Sequence, residues 1–198
     1  MLISVVYSNT WRIHSLVVFG GADSDNGRSF DLYKIPTAPY WHGRFSNGPA
    51  WDEYLAYKLH LIPNPRKNPN YNKRKLFLAY TYYSATSTRK YNTDPNYLMS
   101  LDDEVRQYAA NPRPHPHGTL VAVYAGENDL FDEKCVNDPL SCLQDVTDAE
   151  KSAMLRLCKL RIKHFLVITP GDQADMPYYV RFYKYKDRNE KKKLSLKR

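Results

Sequence analysis

The sequence predicts an α/β domain built on a mainly parallel sheet. Four short apolar segments alternate along the chain with segments of helical periodicity, which is the pattern of strand–helix–strand units. The chain has 198 residues, of which 42% are hydrophobic and 25% charged, and this is enough for one domain with a substantial core. Because parallel sheets bind ligands beyond the carboxyl ends of their strands, we expect a functional site in the residues that follow the apolar segments.

The four apolar segments are typical of short buried strands. They read SLVVFGG (15–21), LFLAYTYY (76–83), TLVAVYAG (119–126) and FLVIT (165–169). Consecutive apolar residues predict burial on both faces of a sheet, and the Gly, Pro or polar residues that follow predict where each strand ends.

Three segments between or beside these strands predict helices. Residues 50–61 carry apolar side chains at helical spacing, and residues 100–110 begin with Ser100 as an N-cap before several acidic residues. Residues 147–165 open with the sequence T-D-A-E, a capping box, which predicts that a helix begins there.

The spacing of the three cysteines argues against a zinc site, because none forms a C-x-x-C pair. Cys135 and Cys142 flank a turn-rich loop that a disulfide could close, which would suit an oxidising compartment. Cys158 lies in a helical pattern and is expected to be a small buried residue. Neither a metal nor a cofactor is expected.

Polar motifs accompany the strands in a specific order. FGGADSDNG (19–27) is followed by APYWHGRFSNGPAWDEYLA (38–56), and the later motifs are YTYYSATS (80–87), AGENDLF (125–131) and LVITPGDQADMPYY (166–179). Taken in this order, they resemble the motifs of the GDSL-type, or SGNH, esterases and lipases, whose first block reads F-G-D-S-L-S-D-N/T-G. The nearly intact GRFSNGP segment is the most specific of these similarities.

The resemblance covers about residues 16–182 and implies a flavodoxin-like, three-layer α/β/α fold. It also implies an ancestral activity on carboxylic esters of lipid or of acetylated carbohydrate. The family continues through a fifth strand to a D-x-x-H motif with the catalytic Asp and His, whereas this sequence ends earlier. The expectation is therefore an incomplete domain over residues 1–182, without the fifth strand and final helix, followed by a basic tail over residues 183–198.

Ester hydrolysis by this route requires a nucleophilic serine, a histidine base and donors to the oxyanion. In an ungapped match the serine position holds Ala22 and the preceding family aspartate is Gly21, so the resemblance implies a catalytically impaired member. A rival alignment makes Ser24 the nucleophile, although Ser24 otherwise serves as a cap for the following helix. Asn128 matches the family residue whose side-chain amide donates to the oxyanion.

None of the six histidines lies in a D-x-x-H motif after the fourth strand. His115 and His117 stand in a Pro-rich turn before the third strand, so they are expected to be exposed at the end of the sheet opposite the site. Two such histidines without a third partner predict no metal centre. His42 is expected near the cleft in a positional role.

A binding module is the alternative function. In this interpretation the cleft keeps affinity for acyl or glycan ligands without chemistry, through Trp41, Tyr82, Tyr83 and Asn128. Tyr83 and Ser84 replace a glycine pair of the family, so a Cβ could bar the close approach that a glycine N–H allows. The positions expected to line the cleft are Gly20, Gly21, Asp25, Trp41, Tyr83, Ser84 and Gly126.

The positive charge of the chain is concentrated at its end. The formal net charge is +8, and residues 181–198 hold nine Lys or Arg against two acidic residues. This tail could contact nucleic acid or an anionic surface, but a solvated terminus is the simpler interpretation and no specific nucleic acid is expected. No apolar run approaches membrane-spanning length, and no signal peptide is visible, although members of the family are commonly secreted.

The expected absence of a fifth strand predicts self-association. Residues 165–169 would then form an apolar edge whose backbone groups can pair with another chain. Residues 178–186 alternate in polarity and could add a makeshift strand, with the basic tail limiting aggregation.

Overall fold

A computed structural model describes residues 12–71, 76–91, 99–112 and 115–171. Its four strands are β1 (Ser15–Gly20), β2 (Phe77–Thr81), β3 (Thr119–Tyr124) and β4 (His164–Val167). They form one sheet in the order β2-β1-β3-β4, and every neighbouring pair is parallel. The predicted α/β class is confirmed, and this order is consistent with a flavodoxin-like three-layer fold.

Helices connect the strands and flank the sheet. They are α1 (Arg28–Tyr33), α2 (Trp51–Lys58), α3 (Leu101–Ala110), α4 (Glu127–Leu130), α5 (Glu133–Asn137) and α6 (Pro139–Lys159). Short 3₁₀ turns occupy Ala22–Ser24, Arg89–Tyr91 and Pro116–Gly118.

The core lies on both faces of the sheet, because side chains alternate along β1. Val17 and Phe19 pack in one cluster with residues of α3 and α6, such as Val105 and Leu157. Leu16 and its neighbours on the other face pack in a second cluster with residues of α2. All the side chains of β1 are buried, which explains its continuous apolar sequence.

The predicted start of the long helix is wrong. The helix begins at Pro139 rather than at residue 147, and the carboxylate of Asp138 accepts a hydrogen bond from the backbone N–H of Ser141. Thr147 therefore lies inside α6, where its hydroxyl donates to the carbonyl of Leu143 at 2.7 Å. The earlier N-cap and a proline in the first turn define the true start, so the capping-box sequence forms no helix terminus.

Cys135 and Cys142 form a disulfide that joins α5 to α6. Both cysteines are buried in a small cluster with Tyr91 and Val146. Cys158, in contrast, is an exposed free thiol, so the prediction that it is buried is wrong. It lies on the side of α6 that faces solvent, whereas the preceding residue, Leu157, points into the core.

β4 is the last strand in the sheet order within the described ranges, and its side chains Leu166 and Val167 are 37% and 40% exposed. The makeshift strand predicted over residues 178–186 and the basic tail over residues 183–198 lie outside the described residues. No helix in the ranges given above has the length and apolarity needed to cross a membrane.

Candidate active site at the carboxyl ends of the strands

The turn after β1 lies directly against the end of β3. Gly20 pairs with Thr81 on one side and with Tyr124 on the other, so the carboxyl ends of three strands meet here. Gly20 has a φ of 146°, and a Cβ at this position would lie 2.0 Å from the carbonyl oxygen of Tyr124. Glycine is required at position 20 because the two backbones approach too closely for any side chain.

A buried carboxyl group accepts a hydrogen bond from the backbone of this turn. The backbone N–H of Gly20 donates a 2.8 Å hydrogen bond to Oε2 of Glu104, which lies on α3 and is fully buried. Burial raises the pKa of Glu104 well above its usual range, although the bond from Gly20 opposes that rise. Glu104 is not distinguishable in the sequence, since one acid among several in a helical first turn carries no distinct signal.

Ala22 begins the 3₁₀ turn that follows Gly21. It is half-buried and presents a methyl group where the family motif has its serine. Ser24, the rival nucleophile, is fully buried, and its hydroxyl accepts a 3.0 Å hydrogen bond from the indole N–H of Trp51. The Ser24 hydroxyl therefore has no open path to a substrate in this structure.

Ser24 does not cap helix α1, contrary to the sequence-based expectation. Asp25 does so, because its Oδ1 accepts hydrogen bonds from the backbone N–H groups of Gly27 and Arg28 at 2.9 and 2.7 Å. The Asp25 side chain is fully buried, so the structure places it beneath the turn rather than at the surface of a cleft. Burial raises the pKa of Asp25, although these backbone bonds oppose the rise.

Asn128 lies beside Gly21, on the short helix α4 that follows β3. A Cβ at position 21 would lie 3.0 Å from Nδ2 of Asn128, so the two motifs are in contact range. That Nδ2 donates to the carbonyl of Ala85 at 2.7 Å and to the carbonyl of Tyr83 at 3.3 Å. The side-chain amide of Asn128 is thus bonded to the loop after β2.

The cavity between these loops is small. It has a volume of about 10 Å³ and is lined by residues that include Gly21, Asp23, Tyr124, Gly126 and Asn128. This is about the space that one water molecule needs, so an acyl group would require the loops to move apart. At its rim the hydroxyl of Tyr124 donates to the exposed carboxylate of Asp23 at 3.3 Å.

Asp129, which was not among the predicted site residues, joins the loop after β2 to the loop after β3. Its carboxylate accepts hydrogen bonds from the backbone N–H groups of Ser87 and Thr88 at 2.6 and 3.1 Å. Burial raises the pKa of Asp129 to about 6, and burial together with the charge of Asp129 raises the pKa of Glu150 to about 7. The signal that could have found Asp129 is its place next to Asn128 in the sequence GEND (126–129), a G-x-N-D motif.

An exposed aromatic surface lies beside the site. Tyr83, which is 37% exposed, stacks on Phe45 with ring centroids 4.9 Å apart, and Phe45 contacts Tyr40 at 5.9 Å. Ser84, which follows Tyr83, is half-buried. Tyr82 is buried instead, and its hydroxyl donates to the side chain of Gln107.

A buried ion pair anchors the loop that carries the GRFSNG sequence. Arg44 lies 2.6 Å from a carboxylate oxygen of Glu53, and the hydroxyl of Tyr71 donates to the same carboxylate. The guanidinium of Arg44 also lies over the ring of Trp41, which contacts His42 edge to face. Trp41 therefore packs within its own loop, which accounts for the half-buried state of its side chain.

Among the residues that the structure describes, no three His, Cys, Asp or Glu side chains cluster in a way that could hold a metal ion. His115 and His117 are exposed and lie at the amino-terminal ends of the strands, on the side of the sheet away from Asn128.

No family model matches the chain. Two curated proteins are similar to it at low identity. The phosphatidylcholine-sterol acyltransferase of Aeromonas hydrophila is 29% identical over 142 residues, which cover 64% of this chain and 38% of that protein. The thermolabile hemolysin of Vibrio parahaemolyticus is 25% identical over 193 residues, which cover 94% of this chain and 40% of that protein.

The fold is an α/β domain whose strand-end loops meet at the carboxyl ends of a parallel sheet. Both relatives are of the GDSL/SGNH type, so the comparisons support the resemblance drawn from the motifs. The chain spans about 40% of the length of these two relatives.

Proposed function

We propose that this chain is an ester-hydrolase-like domain of the GDSL type with little or no turnover of carboxylic esters. The observation that carries the proposal is Ala22, which stands at the serine position of the first block and directly follows Gly21, the neighbour of Asn128. A methyl group has no lone pair with which to attack a carbonyl carbon, so the acyl-enzyme step has no nucleophile at this position.

The only serine near Ala22 in the turn is a poor substitute. Ser24 is fully buried and bound to the indole N–H of Trp51, so its hydroxyl is both inaccessible and engaged. An activated serine also needs a base within hydrogen-bond reach, whereas the Ser24 hydroxyl is bonded to the indole of Trp51, which is not a base.

The second support for the proposal is the state of the oxyanion donor. Asn128 donates its amide to the carbonyls of Ala85 and Tyr83, and would have to give up one of these two bonds to donate to an oxyanion. One such donor typically contributes about 3–4 kcal/mol to transition-state stabilisation. A site whose oxyanion donor is engaged and whose nucleophile is absent retains at most its capacity to bind.

Hydrolysis of p-nitrophenyl acetate and p-nitrophenyl butyrate tests this proposal. We expect no release of p-nitrophenol above a heat-denatured control, and no labelling by a fluorophosphonate that reacts with activated serines. Ser24→Ala should change neither result, and Ser29→Ala serves as a second buried-serine control. Turnover or labelling that is lost in Ser24→Ala alone would show that Ser24 is the nucleophile.

A second candidate function is a binding module, and the stacked pair Tyr83 and Phe45 favours it. Exposed aromatic faces bury a large apolar area at low entropic cost, which suits acyl chains and flat sugar rings. Binding of octanoate and of an acetylated xylo-oligosaccharide should be measured by calorimetry. Tyr83→Ala should weaken binding at least tenfold, whereas Tyr57→Ala, an equally exposed tyrosine on α2, should leave it unchanged.

A further inference from the structure

Among the residues that the structure describes, six basic side chains line one pocket at the amino-terminal ends of the strands. They are Arg12, His14, His115, His117, Lys163 and His164. The pocket has a volume of about 890 Å³, which is within the range of pockets that hold small organic ligands. It lies at the opposite end of the sheet from Asn128, so nothing in the proposed ester site accounts for it.

The sheet itself brings these residues together. β1, β3 and β4 are neighbours, with Ser15 paired with Thr119 and Leu120 paired with His164. Adjacent strands lie about 4.8 Å apart, so the residues just before or at the start of each strand stand side by side. The basic residues are separated by up to 152 positions in sequence, yet they all lie at the amino-terminal end of the sheet.

Two of the histidines are held in place by backbone contacts. The backbone N–H of His14 donates to the carbonyl of Gly118 at 2.7 Å. The imidazole of His14 lies close against Gly118, since a Cβ there would come within 2.6 Å of its Cδ2 atom. Nε2 of His164 lies 3.0 Å from the carbonyl oxygen of His117, which links β4 to the turn before β3.

The chemistry of the lining selects an anion. Arg12 and Lys163 carry fixed positive charge, imidazole rings add N–H donors, and no Asp or Glu is among the described residues that line the pocket. The same described residues form no arrangement that could hold a metal ion. Phosphate groups offer several charged acceptor oxygens, which guanidinium and ammonium groups bind through strong charge-assisted hydrogen bonds.

We propose that this pocket binds a phosphate-bearing ligand. The proposal is independent of the ester chemistry at the other end of the sheet. The phosphate can belong to a free anion or to a phospholipid headgroup, because both present the same oxygens to the same donors.

Calorimetry with pyrophosphate tests the free-anion source. We expect saturable binding that is at least tenfold weaker in Arg12→Gln and in Lys163→Gln. Lys151→Gln, which removes the same charge from an exposed position on α6, is the matched control and should bind as the unaltered chain does. Arg12 and Lys163 are exposed, so equal urea midpoints should confirm that all three variants fold.

Co-sedimentation with vesicles tests the lipid source. Vesicles of phosphatidylglycerol and phosphatidylcholine should pellet the chain more than vesicles of phosphatidylcholine alone, and Lys163→Gln should reduce this difference while Lys151→Gln does not. Vesicle binding of this kind without pyrophosphate binding supports the proposal and assigns the phosphate to a headgroup. The proposal is overturned if neither probe binds, or if Arg12→Gln and Lys163→Gln bind both probes as well as Lys151→Gln does.

Discussion

The side-chain amide of Asn128 donates a 2.7 Å hydrogen bond to the backbone carbonyl of Ala85. This bond joins the loop after β3 to the loop after β2, and the neighbouring Asp129 joins the same two loops through Ser87 and Thr88. In this structure the asparagine of the G-x-N-D motif therefore links two loops. This structural role predicts that loss of the Asn128 side chain lowers folding stability, whereas the role of an oxyanion donor predicts a loss of turnover.

Asn128→Ala should destabilise the fold. Two backbone carbonyls lose their donor, and we expect the free energy of unfolding to fall by about 1–2 kcal/mol, measured by urea denaturation. Asn137→Ala, at an exposed position on α5, should have no measurable effect. An Asn128→Ala variant as stable as the unaltered chain would contradict the loop-linking role.

Glu104→Gln and Glu104→Leu should differ in their effect on stability at pH 7. Glutamine keeps an oxygen that can accept from Gly20 N–H, so its effect should stay below about 1 kcal/mol, whereas leucine leaves that N–H unpaired at a cost of about 1–3 kcal/mol. Because the pKa of Glu104 is raised in the fold, the folded state retains a proton that the unfolded chain releases, and stability falls as the pH rises above about 4. Glu104→Gln should lessen this fall in urea titrations at pH 4 and pH 8. Equal losses of stability in the two variants would show that the hydrogen bond between Gly20 and Glu104 does not contribute to stability.

Glu150→Gln should stabilise the chain at pH 8 and not at pH 4. The folded pKa of Glu150 is raised to about 7, so its burial opposes folding increasingly as the pH rises from about 4 to 7. The gain at pH 8 should be about 1 kcal/mol, since the carboxyl group is only partly buried and solvent screens it. Glu133→Gln, at an exposed position, controls for the loss of one negative charge. A gain in stability of equal size at both pH values would show that the ionisation of Glu150 is not its cause.

Reduction of the disulfide should lower the thermal stability. Cys135 and Cys142 close a short loop, and such a crosslink contributes about 2 kcal/mol through the unfolded state. We expect dithiothreitol to lower the melting temperature of the chain but not that of the Cys135→Ala, Cys142→Ala double variant. Cys158→Ala should melt as the unaltered chain does, because that thiol is exposed and unpaired with the other cysteines. A melting temperature that dithiothreitol leaves unchanged would mean that the crosslink contributes nothing.

Self-association through β4 remains a prediction from the sequence. We expect light scattering to detect oligomers, and Leu166→Lys to reduce them, because a charge on an edge strand opposes pairing with another chain. Leu155→Lys, which changes an exposed leucine on α6, should not reduce them. Deletion of residues 178–198 should increase association. A monodisperse monomer in every case would contradict self-association through β4.

Much of the architecture follows from the sequence alone, because it depends on local patterns. Each continuous apolar run became a parallel strand, and the strand ends fell within three residues of the predicted ones. The start of α6 was missed because two local signals compete there. The T-D-A-E sequence can cap a helix, but Asp138 and Pro139 begin the helix two turns earlier, and a helix once begun continues through a capping sequence.

The sequence by itself also determined the residue types at the candidate site, such as Ala22, which matches the serine of the motif that this segment resembles. Only the tertiary structure decided how those groups are used: Trp51 covers the hydroxyl of Ser24, and Ala85 engages the amide of Asn128. It alone brought the basic residues before β1, β3 and β4 into one pocket. The physical reason is that hydrogen-bond partners and pockets depend on distances across neighbouring strands, which a linear pattern of residues does not contain.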